Sequence, residues 1–249
     1  LVPFDKGSLY APYATSLRNG NLGYQSDTQS NAMRVSYNCL DEYIETLATA
    51  ITTQHSMYAQ IGTRSGSEYL QVNDSVLQAE AEFYTTIRAK RVPPPGVNFL
   101  KVLQEEGVDY VEVRLLDVNP YVPLGIDADE IYFLDTFLLY CLLTESPLHD
   151  DSLCRSVDAN VRKTVYSGRD PALLLDGPDQ QLSIKQWGAT VLKEMAPIAA
   201  LLDSTSNTDA YTRNLQDQHS IIEDPDRTLS ARMLADMKTE GIPYFRFAM

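Results

Sequence analysis

At 249 residues and 44% hydrophobic content, the chain is long enough to bury a sizeable core as one large domain or two small ones. Its 20 basic residues stand against 34 acidic ones, a net charge of −14, which argues against nucleic acid or an anionic membrane surface as partner, since either calls for a basic patch. No apolar run approaches the roughly 20 residues that a membrane-spanning helix needs.

Residues 1–36 are rich in Gly, Asn, Ser and Tyr without a sustained period, and read as loop. From Asn38 to about Ile61 the apolar positions Leu40, Tyr43, Ile44, Leu47 and Ile51 fall at helical spacing, and Gly62 and Gly66 end that helix. Residues 69–73 read as a short strand. Residues 76–91 suit two templates, the alternation favouring a strand and the Ala and Glu content a helix. Val92-Pro93-Pro94-Pro95-Gly96 is an irregular break, followed by a short helix over 99–106. Residues 108–118 form the clearest strand, stopped by Asn119-Pro120. Helices then follow over 127–143, 183–202, 208–222 and 228–240, with Pro197 expected to kink or break the second. The apolar stretch 131–143 predicts a buried helix. A sheet-bearing first half followed by an all-helical second half fits an α+β layout.

The chemistry concentrates in residues 108–117. On a strand, Val111, Val113 and Leu115 share one face, suited to packing under helices, while Tyr110, Glu112 and Arg114 share the other. Two charges in the middle of a strong strand are costly unless their face is solvated or functional. At two strand steps their Cα atoms lie roughly 6.6 Å apart, a spread that suits a carboxylate on a metal ion beside a guanidinium on phosphate. An exposed ion pair on a one-sided sheet fits the same pattern. Upstream, Gln78, Glu80, Glu82 and Tyr84 share a face if the segment is a strand, and Glu80 and Glu82 diverge if it is a helix. Arg88, Lys90 and Arg91 are the densest basic cluster of this acidic chain; they suit nucleotide phosphates or a strand end in water.

Neither a phosphate-binding P-loop nor a dinucleotide fingerprint is present, so a bound nucleotide would have to be held by metal and arginine. His55, His149 and His219 lack a serine elbow or a partnered cysteine, which disfavours hydrolase chemistry. Cys39, Cys141 and Cys154 are odd in number and far apart, matching neither a disulfide framework nor a zinc site and predicting a reducing, cytoplasmic setting. The sequence opens on Leu1 with no signal-peptide pattern, and reads as a fragment.

Several ordered strings resemble bacterial-type glutamate–cysteine ligases. They are Pro12-Tyr13-Ala14-Thr15-Ser16-Leu17-Arg18, Leu22-Gly23-Tyr24, Ser30-Asn31, Leu70-Gln71-Val72-Asn73 and Val76-Leu77-Gln78-Ala79-Glu80. Tyr84 with Ile87-Arg88-Ala89-Lys90-Arg91 continues the series, and Tyr110-Val111-Glu112-Val113-Arg114 followed by Leu116-Asp117-Val118-Asn119-Pro120 is its strongest member. Gly168-Arg169 and Leu229-Ser230-Ala231-Arg232 extend it weakly. The resemblance runs in order along nearly the whole chain, densest over residues 11–122.

That resemblance implies a glutamine-synthetase-like α+β fold, a curved antiparallel sheet with the active site on its concave face. Residues 1–122 would supply part of the sheet and its active-site loops, and residues 123–249 the mainly helical part of the same catalytic domain. The implied reaction joins the γ-carboxyl of L-glutamate to the amino group of L-cysteine through a γ-glutamyl phosphate, with ATP and Mg2+, as the first step of glutathione biosynthesis. Glu112 matches a magnesium ligand, Arg114 the arginine on the transferred phosphoryl group, Arg18 a glutamate-binding residue, and Tyr24 and Tyr84 the walls of the cysteine pocket. Asp109 stands where some relatives carry another acid, although an ideal strand points it away from Glu112. Members of the family have a comparable stretch before the point where this chain starts, with further metal-binding acids and a histidine. The match is therefore to a C-terminal half, expected to be inactive alone. The ligase module of a bifunctional glutathione synthase, a related ligase with another amine substrate, and a non-catalytic subunit remain alternatives; the retained Glu112–Arg114 pair counts against the last.

Overall fold

A computed structural model describes residues 2–3, 9–24, 26, 29 and 32–248; the Ser30-Asn31 string lies outside the described residues. The backbone clusters into two compact units. One is Asn21–Leu116, and the other joins the first twenty residues to everything from Asp117 onward. Strands β1 (Val2–Pro3) and β2 (Leu9–Tyr10) form a minimal antiparallel pair at the start of the second of these.

In the Asn21–Leu116 unit, the helix expected over 38–61 forms as two pieces, α1 (Leu40–Thr52) and α2 (Ser56–Ile61). Between them Gln54 bridges Ser75, the Val76 N–H donates to Thr53 O and the His55 N–H to Asp74 O. These distant partners hold the backbone extended where local periodicity favoured continuing the helix. Strands β3 (Arg64–Ser65) and β4 (Glu68–Tyr69) pair as a hairpin around Gly66, whose φ of 62° is the left-handed conformation glycine tolerates. The strand expected over 69–73 is thus confined to its first residue. Residues 76–91 are neither a long strand nor a helix: a single 3₁₀ turn at Glu80–Glu82 precedes β5 (Ile87–Lys90). Helix α3 (Phe99–Glu106) forms as expected, with the Asn98 side chain accepting from the Lys101 N–H at its N-cap. Strand β6 (Tyr110–Val113) is shorter than the eleven-residue strand expected, with its pairing extended by the Arg114 N–H donating to Thr86 O at 2.8 Å.

The core of this unit lies where α1 meets α3. Leu47, Leu77 and Leu103 are buried with Tyr43, Phe83 and Phe99 around them. Burying each such side chain is worth about 1.5–3 kcal/mol, and this cluster anchors the segment that leads to β5. The expected packing of Val111, Val113 and Leu115 under helices is not what forms. Val111 is 47% exposed and Leu115 is exposed as well, because α1 and α3 bury their apolar faces on each other and on Val76, Leu77 and Phe83.

In the other unit, α4 (Ala128–Leu143) starts from an Asp127 capping box completed by Glu130. Helix α5 (Asp151–Ser167) and the hairpin of β7 (Leu174–Asp176) with β8 (Gln181–Ser183) follow. Neither was expected, so the second half is not purely helical. Helix α6 (Ile184–Ser206) runs on through Pro197, which neither ends nor splits it. Helices α7 (Ala210–Glu223), α8 (Leu229–Glu240) and α9 (Tyr244–Phe247) complete the chain. Leu192, Met195 and Ala199 of α6 pack with Leu215 of α7 and with Phe133, Phe137 and Tyr140 of α4. Only that stripe of α4 is used. Leu142 is 78% exposed and Thr136 is the helix's buried residue, which corrects the expectation of a fully buried helix. Across the described residues the strands form two-stranded antiparallel sheets beside predominantly helical structure. The α+β class is what forms. None of the described helices is long and apolar enough to cross a membrane.

Candidate functional site

Antiparallel pairing of β5 with β6 sets Arg88 opposite Glu112 and Lys90 opposite Tyr110. The charged residues of both strands therefore share one face of the ribbon. Glu112 takes a hydrogen bond through Oε1 from Arg114 Nη2 at 2.7 Å, while its Oε2 lies 3.8 Å from Lys90 Nζ. The Arg114 hydrogen bond, aided by the charges of Arg114, Lys90 and Arg88, holds the Glu112 carboxyl below the usual carboxylate range. Burial pushes the Lys90 ammonium down.

Arg88 sits differently from the phosphate-facing cation expected. It is 3% exposed, and its guanidinium donates to Glu80 O at 2.8 Å and Ala81 O at 3.2 Å. It ties the 3₁₀ turn to β5 and adds its field to Glu112, with those donors spent on backbone. Lys90, half-buried, lies 5.5 Å from the Phe99 ring and keeps its ammonium near Glu112.

Arg114 continues the site away from the ribbon. Its Nη1 donates to the Tyr24 hydroxyl, and its guanidinium lies 5.4 Å from the Tyr24 ring. Tyr24 in turn packs against Tyr84, with ring centroids 4.5 Å apart and planes tilted by 34°. Glu112, Arg114, Tyr24 and Tyr84 thus form one unbroken run of contacts within the Asn21–Leu116 unit. Beside the two tyrosines lies a cleft of about 610 Å³, lined also by Tyr58, Gln29, Gln78 and Glu82. Such a volume suits a small polar ligand.

Arg18 belongs to the other compact unit. There the Asp117 carboxylate holds the loop that carries it, accepting from the Leu17 N–H at 2.9 Å, the Arg18 N–H at 2.7 Å and the Ser16 hydroxyl. Asp109 is exposed at the head of β6, its N–H on Lys90 O at 2.9 Å. Two residues escaped sequence reasoning. Asp117 closes the charged segment 108–117, but nothing in its spacing marks it as the acceptor of backbone N–H groups 99 and 100 residues away. Gln29 sits in a Gly/Asn/Ser-rich loop that offers no local signal.

A magnesium ion needs about six hard oxygen ligands. Glu112 Oε2 is buried and has no hydrogen-bond partner, so it fits one such position. Among the described residues, no three His, Cys, Asp or Glu side chains gather as a metal site, and the cations around Glu112 would oppose a divalent ion bound there alone. The fit is to a single ligand that would need water, phosphate oxygens and further acids to complete the shell.

Comparison with known proteins gives this geometry a context. The glutamate–cysteine ligase family model matches residues 1–164. A glutamate–cysteine ligase from Pseudomonas fluorescens is 41% identical over 249 residues, and one from Azotobacter vinelandii 42% identical, in each case across 100% of this chain and 47% of that protein. The chain therefore spans about half the length of the curated relatives it matches. Among solved structures, a Francisella tularensis glutamate–cysteine ligase in complex with AMP superposes with a TM-score of 0.84 at 29% identity, covering 95% of this chain and 46% of that one. A bifunctional glutathione synthetase from Pasteurella multocida shares the fold at a TM-score of 0.62 and 18% identity, over 94% of this chain and 25% of that one. With 164 of its 249 residues matched by one family model and its fold reproduced in a solved member, this chain belongs to the glutamate–cysteine ligase family.

Proposed function

We propose that the chain supplies the C-terminal half of an ATP-dependent ligase that joins the γ-carboxyl of glutamate to the amino group of cysteine through a γ-glutamyl phosphate, in the cytoplasm, as the first step of glutathione biosynthesis. The observation that carries this reading is the run Glu112–Arg114–Tyr24–Tyr84, which links an acid and a guanidinium through Tyr24 to an aromatic-walled cleft. Phosphoryl transfer asks the protein chiefly for positioning and for neutralisation of developing charge. Arg114 presents a planar fork of donors, preorganised by Glu112 on one side and Tyr24 on the other. In this reading it grips the phosphoryl group as it moves from ATP to the glutamate γ-carboxylate. Tyr24 and Tyr84 hold the cysteine so that its amine meets the acyl phosphate and displaces phosphate. Arg18 binds glutamate, with its loop fixed by Asp117. Lys90 contributes positive charge toward the phosphates, and Arg88, tied to Glu80 O and Ala81 O, adds its field to Glu112. Glu112 Oε2 provides one ligand for magnesium, whose role when bound is to neutralise phosphate charge. Three free cysteines, Cys39, Cys141 and Cys154, agree with a reducing compartment.

Tyr84 tests the assignment of the amine pocket. In the full-length enzyme, Tyr84→Ala is expected to raise KM for cysteine by roughly 5- to 100-fold, as lost aromatic contact worth about 1–3 kcal/mol implies. KM for glutamate and ATP should change little. Equal rises for all three substrates would make Tyr84 a packing residue and refute the pocket.

A further inference from the structure

We propose that Gln29 is a positioning residue for the amine subsite, fixing the direction of the Tyr84 ring by gripping the backbone on both sides of Phe83; this rests on the reading of Tyr84 as a pocket wall. Gln29 is 7% exposed, an expensive place for a primary amide unless its hydrogen bonds are met. They are met by one stretch of chain. Its Nε2 donates to Glu82 O at 2.8 Å, and its Oε1 accepts from the Tyr84 N–H at 2.8 Å, across 53 and 55 residues of sequence. The side-chain amide thus does what a neighbouring strand would do, pairing with a donor and an acceptor that flank a single residue.

That residue is Phe83, buried in the core with Tyr43, its ring centroid 6.4 Å from the Tyr43 ring. The backbone before Tyr84 is therefore held on one side by a core aromatic and on the other by Gln29. Tyr84 leaves this clamp with its ring packed at a tilt against Tyr24, and Tyr24 is the residue that meets Arg114. Gln29 also lines the cleft, so the clamp lies at the subsite itself. A glutamate at 29 keeps an acceptor for the Tyr84 N–H but turns an oxygen toward the Glu82 carbonyl. A methionine keeps the volume and loses both bonds.

The experiment is a double-mutant cycle in the full-length enzyme, with Q29M, Y84A and the pair together. KM for cysteine, glutamate and ATP is measured for each, and helical content is followed by circular dichroism. Q29M is expected to raise KM for cysteine about tenfold, as for loss of two buried hydrogen bonds, and to leave the other two within about twofold. Q29E is expected to fall between wild type and Q29M, and it carries the test should Q29M not fold. In the Y84A background Q29M should add nothing to KM for cysteine, because the ring it orients is gone. Full additivity, an equal rise for all three substrates, or no change in KM for cysteine with Y84A selective would overturn the role of Gln29 alone. Y84A without a selective effect on cysteine would overturn the pocket reading, and this inference with it.

Discussion

Glu112 keeps its negative charge because Arg114 donates to one oxygen and Lys90 and Arg88 add their fields. Its carboxyl in the fold titrates below the ordinary carboxylate value of about 4.3. A depressed carboxylate stabilises the fold fully above the unfolded value, and that contribution is lost as pH falls through the folded one. Glu112→Gln should therefore unfold more easily than wild type in urea at pH 7, with the gap closing below about pH 4. The gap should be small, since the side chain is partly solvated. A pH-independent gap would show that Arg114 does not hold the charge. In the full-length enzyme the same variant is expected to need more magnesium for activity, Oε2 being the proposed ligand. Alternation along residues 110–114 is enough by itself to place Glu112 and Arg114 on one face. Gln29 and Asp117 were invisible to that reasoning, because a side chain bonding to backbone 55 or 100 residues away leaves no periodic trace.

At the scale of elements, the helices with strong caps were legible and the segments decided by distant partners were not. Asn98, Asp127, Ser183 and Thr228 each cap a helix whose start the sequence located to within a residue or two. The break after Thr52 and the irregular path of residues 76–86 depend on pairing with one another, which local propensity does not contain. Helix α5 carries Leu153, Val157, Val161 and Val165 at four-residue spacing, a readable but narrow stripe of which only Val165 is buried. Its far end shows why Gly168-Arg169 belongs among the matching strings. Arg169 donates to Ala14 O and Pro12 O, and the Thr15 N–H donates to Val165 O at 2.9 Å, so the loop that leads to Arg18 crosses directly over Gly168. A Cβ at that position would stand 2.5 Å from Thr164 O and 2.6 Å from Thr15 Cγ2. Gly168→Ala is accordingly expected to cost about 1–3 kcal/mol of unfolding free energy, although its backbone is ordinary helical. A change below about 0.5 kcal/mol, the range of neutral surface substitutions, would mean the loop yields freely.

At the scale of the whole molecule, the chain covers 47% of relatives that carry the ligase name, and under the proposed function its described residues would offer magnesium only Glu112 Oε2, with no group of three His, Cys, Asp or Glu side chains gathered as a metal site. These 249 residues alone are therefore expected to release no ADP above background when given glutamate, cysteine, ATP and magnesium; substantial turnover would show the site to be complete within them. Steady-state ADP release by full-length Arg114→Lys tests the proposal that Arg114, set between Glu112 and Tyr24, serves phosphoryl transfer. Lysine keeps the charge and loses the planar fork. The expected result is a fall in kcat of roughly 10²-fold or more, as for removal of a preorganised donor, with KM for all three substrates little changed and circular dichroism unaltered. A variant that folds and turns over at a near-normal rate would contradict it and return Glu112 and Arg114 to a structural ion pair.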